Sequence, residues 1–249
     1  MNADDGATDL PLLVRGAREL GIELSEKQLR QFGLYLRELL EWNQRMNLTA
    51  ITATEDVQVK HFLDSLTVLA GLPKPVRQGV SEATVLDVGA GAGFPGIPLG
   101  IVLPSLSVTL LEATRKKCKF LEHLIGTLGL AGATVACGRA EEWAHRADAR
   151  ERYDVALARA VAPLAVLAEL CLPFVRLGGR MIAPKKLGID EEIRAAGRAI
   201  KLLGGKFEPP LVVRLPILDE SRQLVVISKI HPTPSPYPRR PGLPAKSPL

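Results

Sequence analysis

The stretch from residue 83 to residue 98, ATVLDVGAGAGFPGIP, constrains the fold of this 249-residue chain more than any other segment. A short run of aliphatic and β-branched residues ends at Asp87, and glycines then follow at every second position, which predicts a buried strand and a tight turn. Pro95 comes where a helix would begin, and proline is well tolerated in the first helical turn. Because a strand, a glycine turn and a helix start together expose backbone N–H groups, the segment predicts a binding site for a nucleotide-type cofactor.

Two classes of cofactor fit this glycine spacing. The dinucleotide fingerprint G-x-G-x-x-G is matched by Gly91, Gly93 and Gly96, with Glu112 downstream to hold a ribose. That interpretation puts Asp87 inside a buried strand, where an unpaired carboxylate is costly. The alternative is acid-x-Gly-x-Gly-x-Gly, starting at Asp87, which then stands at the mouth of the strand beside a cationic ligand. This second pattern resembles motif I of the class I S-adenosylmethionine-dependent methyltransferases, and we favour it over a dehydrogenase.

From residue 83 onward, stretches typical of strands alternate with stretches typical of helices. The predicted strands are 83–88, 107–112, 133–137, 153–158, 178–183, 207–215 and 222–230, and the predicted helices are 95–103, 115–129, 140–148, 163–176 and 189–203. This alternation predicts an α/β fold with a mainly parallel, Rossmann-like sheet. Only a short turn separates the last two strands, so they must pair as an antiparallel hairpin. A sheet that ends in such a hairpin is typical of class I methyltransferases and not of dehydrogenases.

Three regions are predicted along the chain. Residues 1–75 form a helical N-terminal segment, because apolar residues recur there at the spacing of one helix face. Residues 76–230 form the methyltransferase domain. Residues 231–249 contain seven prolines and no acid, so we expect a basic tail that is extended, mobile and free of helix.

Ligands of open α/β sheets bind where the strands end. Glu112 follows the second strand, where its carboxylate can accept both ribose hydroxyls, and Glu141 follows the third, near an adenine amino group. Either acid alone could be a solvated residue at a helix start, but their arrival at successive strand ends favours the cofactor role. The predicted cofactor-binding residues are Asp87, Gly89, Gly91, Gly93, Phe94, Glu112, Arg139, Ala140, Glu141 and Arg159.

The end of the fourth strand narrows the methyl acceptor. It lacks an Asn-Pro-Pro-Tyr element of the kind that holds an exocyclic amine, and no cysteine lies at a strand mouth to attack pyrimidine carbon five. An acceptor with a free lone pair, such as guanine N7, needs neither device and requires mainly alignment with the methyl group.

Four segments in order, WNQRMNLT at 42–49, HFLDSL at 61–66, GAGFPGIP at 91–98 and RAVAPL at 159–164, closely resemble the glucose-inhibited division protein B family, also called RsmG. Its members are bacterial methyltransferases that act on guanine N7 of 16S ribosomal RNA, and the resemblance runs from about residue 25 to 230. It implies that the helical segment covers the active-site side. It also implies that S-adenosylmethionine contacts Gly89, Phe94, Glu112, Ala140, Glu141 and Arg159.

The resemblance also changes how two polar residues are interpreted. From the sequence alone, Asn47 would end a helix and His61 would be a packed helix histidine. The resemblance moves both to the edge of the active site, so the catalytic candidates are Arg159, Asn47 and His61. No metal site is predicted.

Basic residues gather near the same sheet edge, and the formal net charge is +5. A charge run can be only a solvated helix face, but this location suits phosphate contacts. The predicted RNA-binding residues are Arg115, Lys116, Lys117, Lys119, Lys185, Lys186, Arg239 and Arg240. The expected partner is 16S ribosomal RNA or a small-subunit particle.

The chain shows no signal-peptide pattern and no apolar run long enough to span a bilayer. Cys118, Cys137 and Cys171 lack paired or zinc-type spacing, so we expect three small core residues in a reducing compartment. These features predict a cytoplasmic protein without a membrane partner, and we separately expect a monomer. Two other functions stay open at this point, namely a nicotinamide-dependent oxidoreductase and a non-catalytic RNA-binding protein on the same fold.

Overall fold

An eight-stranded β-sheet forms the centre of the protein in the computed structural model, which describes residues 9–159 and 162–249. Its strands are β1 Ala83–Val88, β2 Leu106–Glu112, β3 Ala133–Cys137, β4 Tyr153–Leu157, β5 Val175–Lys185, β6 Gly205–Phe207, β7 Leu211–Leu215 and β8 Glu220–Lys229. The strand order is β3-β2-β1-β4-β5-β8-β6, with β7 also paired to β8. Strands β1 to β5 are parallel, whereas β8 is antiparallel to β5, β6 and β7. The predicted α/β sheet with an antiparallel end is confirmed.

Helices cover both faces of this sheet. They are α1 Pro11–Glu19, α2 Glu26–Met46, α3 Thr54–Val57, α4 Asp64–Leu66, α5 Lys74–Arg77, α6 Gly96–Val102, α7 Arg115–Leu128, α8 Ala140–Trp143, α9 Leu164–Cys171, α10 Asp190–Leu202 and α11 Leu243–Lys246. Successive side chains of a strand point to opposite faces. Accordingly Val85 packs into one apolar core with α1, α2, α6 and α7, and Leu86 packs into the other with α9 and α10.

Several predicted boundaries differ from the observed ones for local reasons. The predicted strand 207–215 is two strands, because Pro209 and Pro210 between them have no N–H to donate to the sheet. The predicted helix 140–148 ends at Trp143, and the predicted helix 163–176 gives way to a 3-10 helix at Leu172–Phe174, which contains Pro173. The segment Ala160–Val161 of the predicted loop after the fourth strand lies outside the described residues, as do residues 1–8.

The N-terminal helical segment packs against the α/β part through specific polar contacts as well as apolar ones. Gln28 Nε2 donates to the carbonyls of Ile101 and Val102 at the end of α6, and Gln31 Nε2 donates to Leu128 O at the end of α7. These two side chains therefore satisfy carbonyls that a helix end leaves without partners. Gln58 similarly accepts from the backbone N–H groups that begin α1. The proposed boundary near residue 75 stays a prediction.

The C-terminal tail differs from the expectation of an extended, mobile, helix-free segment. It folds back on the sheet domain, and its last part forms the short helix α11, which contacts α9. Arg239 forms an ion pair with Glu169, whose side chain is fully buried. Composition missed this arrangement because it depends on hydrogen bonds to residues about 70 to 100 positions earlier in the chain.

The prediction of three free core cysteines is wrong for two of them. Cys118, which is buried on α7, and Cys137, which is exposed at the end of β3, are joined as a disulfide. Cys171 is free and buried as expected. Within the described ranges, no helix has the length and apolar character needed to cross a membrane.

Candidate active site

The glycine loop after β1 is shaped by positive backbone φ angles and by Glu112. Gly89, Gly91 and Gly93 have φ values of 73°, 60° and 100°, a region that favours glycine. The Glu112 carboxylate at the end of β2 accepts from Gly91 N–H at 3.0 Å and from Thr114 N–H at 2.8 Å. Glu112 therefore fixes the loop next to it, in addition to any contact with a ligand.

Asp87 lies beneath this loop and not at its surface. Its side chain is fully buried, its Oδ2 accepts from Gly96 N–H at 2.8 Å, and its Oδ1 has no hydrogen-bond partner among the described residues. Burial raises the pKa of Asp87 to about 7, although the Gly96 hydrogen bond and Arg159 act to lower it. The expected position at the mouth of the strand is thus corrected to a buried one, and the acid braces the start of α6.

Aromatic rings pack at the tip of the glycine loop. Phe94 stacks with His61 at a centroid distance of 4.5 Å and with Tyr35 at 5.1 Å. The Tyr35 hydroxyl donates to Ala92 O at 2.6 Å, so helix α2 holds the loop directly. The N-terminal helical segment therefore shapes the predicted site, in agreement with the expectation that it covers the active-site side.

Arg159 follows β4 and joins the loop to the N-terminal segment. Its guanidinium lies 5.2 Å from the centroid of the Phe94 ring and forms an ion pair with Asp64 at 2.8 Å. The same Asp64 carboxylate binds Arg222 of β8 at 2.5 Å. Both arginine side chains are about one-seventh exposed, so Asp64 balances two cations that face this edge of the sheet.

His61 lies in a π-helical turn, Gln58–Leu63, that joins α3 to α4. Turns of this type are frequent at functional sites. Its Nε2 lies 2.7 Å from Thr49 Oγ1, and its Nδ1 lies 3.3 Å from an Arg159 nitrogen. Burial, followed by the positive charge of Arg159, lowers the pKa of His61 to about 4, so its ring is neutral at pH 7.

Among residues 9–159 and 162–249, no side-chain hydrogen bond brings Asn47 into this cluster. It ends α2 in the left-handed conformation, with φ 49° and ψ 54°, and it is exposed. Asn43 instead makes the polar contacts here, because its side chain accepts from Thr49 N–H and donates to Thr49 O, both at 2.9 Å. Asn43 thus places the hydroxyl that meets His61, a role that spacing alone did not single out.

The segment after β3 supplies the remaining predicted cofactor residues. Arg139 is exposed and precedes α8, Ala140 is half-buried, and Glu141 is buried. Glu141 Oε1 accepts from Gly242 N–H of the C-terminal tail at 2.9 Å. Because β1, β2, β3 and β4 are adjacent parallel strands, the residues that follow them share one edge of the sheet.

A family model described as rRNA small subunit methyltransferase G (GidB) matches residues 28–214 of the chain. The protein belongs to this family. Relatives named "Ribosomal RNA small subunit methyltransferase G" include one from Dehalococcoides mccartyi strain BAV1, 49% identical over 95% of this chain and 98% of its own length. Another, from Pelotomaculum thermopropionicum, is 51% identical over 94% and 96%.

Solved structures agree on the fold. A variant of MtNAS in complex with S-adenosylmethionine superposes with a TM-score of 0.53 at 17% identity, covering 92% of this chain and 80% of that one. MtNAS in complex with MTA and tNA gives the same TM-score at 16% identity, covering 92% and 78%. The chain is therefore an enzyme of the methyltransferase G family with the class I S-adenosylmethionine-dependent methyltransferase fold. The family match supports neither the oxidoreductase nor the non-catalytic alternative.

Some of the basic residues predicted to bind RNA are exposed, and others form ion pairs with carboxylates of the protein. Arg115, Lys116 and Lys119 are exposed at the start of α7 and have no ion-pair partner in the described part of the chain; Lys186 and Arg240 are also exposed. Lys185, in contrast, binds Glu192 at 2.7 Å, and Arg239 binds Glu169. The structure thus gives these two residues protein partners in place of the predicted phosphates.

Two further cations lie at the site, Lys60 and Arg222, which the sequence did not single out. A cavity beside Arg159 is also lined by Lys60 and Arg222, together with Lys185 and Lys186. Arg222 lies in a strand that the sequence identified only by its apolar residues. Its pairing with Asp64 joins positions 158 residues apart, which no local pattern reports.

Proposed function

We propose that this protein transfers the methyl group of S-adenosylmethionine to N7 of a guanine in 16S ribosomal RNA, on the RNA or a small-subunit particle. We further propose that it acts as a monomer in the cytoplasm. Membership of the methyltransferase G family supports the enzyme class and an rRNA substrate. The arrangement of side chains at the strand ends supports the finer choice of acceptor atom.

The residues at the sheet edge fit the adenosylated cofactor. A Cβ added to Gly91 would meet nothing closer than Gly89 O at 3.8 Å, so the space above the loop is open. Glu112 borders that space and is a suitable acceptor for ribose hydroxyls. Glu141 keeps an oxygen without a hydrogen-bond partner among the described residues, which suits an adenine amino group. Carboxylates around a sulfonium and an ammonium are electrostatically favourable, whereas they would repel a pyrophosphate.

When bound, the cofactor supplies an electrophilic methyl group on a positively charged sulfur. Guanine N7 offers a lone pair and carries no hydrogen, so its methylation needs alignment and charge placement, and no proton has to leave first. Phe94 is buried and stacked on His61, so its ring forms a fixed wall of the site at the tip of the glycine loop. Arg159 holds that wall against the N-terminal segment through Asp64 and Lys60 O.

The single observation that carries this proposal is that no available base among the described residues faces Phe94, since Asp87, the acid with a pKa near 7, is fully buried beneath the loop. His61 is neutral but has a pKa near 4, which makes it a weak base. Asp64 is bound by two arginines, and Arg159 is a cation. A site of this composition suits an acceptor that loses no proton, because general-base catalysis works best with a pKa near the working pH.

Ligand binding and methyl transfer test the proposal together. Isothermal titration is expected to show binding of S-adenosylhomocysteine and none of NAD, and labelled S-adenosylmethionine is expected to transfer its methyl group to unmodified small-subunit RNA. Glu112→Ala should weaken cofactor binding by about 1–3 kcal/mol, since it removes hydrogen bonds to charged oxygens. Glu122→Ala, an exposed acid on α7, serves as the matched control. Binding of NAD without binding of S-adenosylhomocysteine would contradict the proposal.

A further inference from the structure

The C-terminal tail, residues 231–249, ends against the predicted adenine side of the cofactor site. The tail runs from the end of β8 to the segment that follows β3. Residues on α8, on α9 and in the loop after α8 hold it along this path. This placement connects a proline-rich segment to a side chain that we assign to the cofactor.

Several hydrogen-bonded anchors hold the tail in position, among them those made by Arg239, Arg150 and His145. The Arg239 guanidinium donates to both oxygens of Glu169, at 2.9 and 2.6 Å, and its backbone N–H donates to one of them at 2.8 Å. Arg150 donates to the carbonyls of Thr233, Pro234 and Tyr237. His145 Nε2 lies 2.8 Å from Pro238 O. Forked arginine–carboxylate pairs are among the strongest and most directional polar contacts in proteins, so this path is well defined.

The contact with the site is a single backbone hydrogen bond. Gly242 has φ 80°, which favours glycine, and its N–H donates to Glu141 Oε1 at 2.9 Å. Glu141 belongs to a one-turn helix and has no other hydrogen-bond donor in the described residues. Its carboxylate is therefore oriented by the tail, with Oε2 left to accept from a ligand.

We propose that the C-terminal tail is a positioning element of the cofactor site, in which Gly242 N–H orients Glu141 toward the adenine amino group. The inference rests on the proposed function, because it takes the adenosylated cofactor as the ligand. Holding Glu141 before the ligand arrives reduces the ordering cost of binding. The tail then acts through Glu141 and without touching the ligand itself.

Two shortened chains provide a matched comparison. A chain that ends at Arg239 keeps the anchors at Thr233, Pro234, Tyr237 and Glu169 and loses Gly242, whereas a chain that ends at Lys246 keeps Gly242. Affinity is measured by isothermal titration for S-adenosylhomocysteine and for S-inosylhomocysteine, which has a carbonyl oxygen in place of the adenine amino group. Ending the chain at Arg239 should reduce the preference for the adenosyl ligand by about two- to tenfold, the range for one hydrogen bond. Ending it at Lys246 should leave the preference unchanged.

A double-mutant cycle separates this role from a merely structural one. In the Glu141→Ala background, removal of the tail after Arg239 should have no further effect on the affinity for S-adenosylhomocysteine, because the tail acts through Glu141. If the shortened chain does not fold, full-length Gly242→Pro is expected to give the same loss of preference, because proline has no N–H and cannot adopt the φ of 80° that brings this residue to Glu141. Two results would overturn this inference alone. One is an equal loss of affinity for both ligands in the shortened chain, and the other is full additivity of the Glu141→Ala and truncation effects in the cycle. Failure of the full chain to bind S-adenosylhomocysteine would overturn the proposed function as well.

Discussion

At the scale of a single residue, Arg159 connects more parts of the site than its neighbours do, because it contacts both the N-terminal segment and the glycine loop. Its guanidinium contacts Asp64, Lys60 O and the face of Phe94 at once. Arg159→Ala should lower the rate constant of methyl transfer by about a hundredfold, because small displacements of an aligned site are that costly. Arg159→Lys keeps the charge but not the forked geometry, so its rate should lie between those of the unchanged protein and Arg159→Ala. Single-turnover methyl transfer measures both variants.

The fold should survive this change, because Arg222 still neutralises Asp64 in the variant. We therefore expect Arg159→Ala to melt within a few degrees of the unchanged protein. A rate equal to that of the unchanged protein would show that Arg159 does not position the site.

Asp87 should make the protein less stable as pH rises between 3.8 and about 7. Burial raises the pKa of its carboxyl to about 7. In this window the native state holds a proton that the unfolded state has released, so the free energy of unfolding falls with pH. The loss between pH 5 and pH 8 is about 3 kcal/mol, from 1.36 kcal/mol for each pH unit. Urea unfolding at the two pH values measures it.

Asp87→Asn is the control for this pH dependence, because the amide oxygen can still accept from Gly96 N–H without a charge. His61 acts in the opposite direction, since its pKa falls from 6.5 to about 4 and the unfolded state takes up its proton first as pH falls. Comparison of the unchanged protein with Asp87→Asn cancels the contribution of His61. The same pH slope in both proteins would contradict the assignment to Asp87.

At the scale of elements, the disulfide connects α7 to the end of β3, next to the predicted ribose and adenine residues. We expect one free thiol per chain, that of Cys171, when the protein is unfolded without reductant, and three after reduction. A cross-link over 19 residues is worth about 3 kcal/mol in the chain-entropy account, so reduction should also lower the melting temperature. Three thiols before reduction would contradict the pairing.

The elements that sequence predicted well are those whose signals are local. The glycine loop and the alternation of strands and helices are fixed by nearby residues, and β1 runs from Ala83 to Val88 as expected. The π-helical turn at His61 and the partnership of Gln58 with α1 have no such signal, because the helical periods there look ordinary. The tail was missed for a related reason, since the ion pair between Arg239 and Glu169 exists only in the folded chain.

The candidate site likewise contains some residues that the sequence could locate and others that it could not. The positions of Glu112, Glu141 and Arg159 follow from strand ends, which a sequence can locate. Burial of Asp87 and the role of Arg222 depend on packing between distant elements, so they required the structure.

At the scale of the whole molecule, exposed cations on α7 and after β5 flank the site edge and should contact RNA phosphates. Changing Lys116, Lys119 and Lys186 together to Gln should lower the salt dependence of RNA binding by about 2 in log–log slope, at roughly 0.7 per lost phosphate contact with single-stranded RNA. The control replaces Arg198, Lys201 and Lys206, which lie in α10 and β6 toward the opposite edge of the sheet. Filter binding across salt concentrations measures both. An equal change in slope for the two triple variants would show that only net charge matters.

The atom that receives the methyl group distinguishes N7 methylation of guanine from every other modification of the RNA. Small-subunit particles that lack the modification are incubated with the enzyme and S-adenosylmethionine. One portion of the 16S RNA is digested and analysed by mass spectrometry, and a second, intact portion is tested for borohydride-dependent strand cleavage. We expect one new N7-methylguanosine, identified by cleavage at that nucleotide. A methyl group on an exocyclic amine or on a pyrimidine carbon would contradict this expectation.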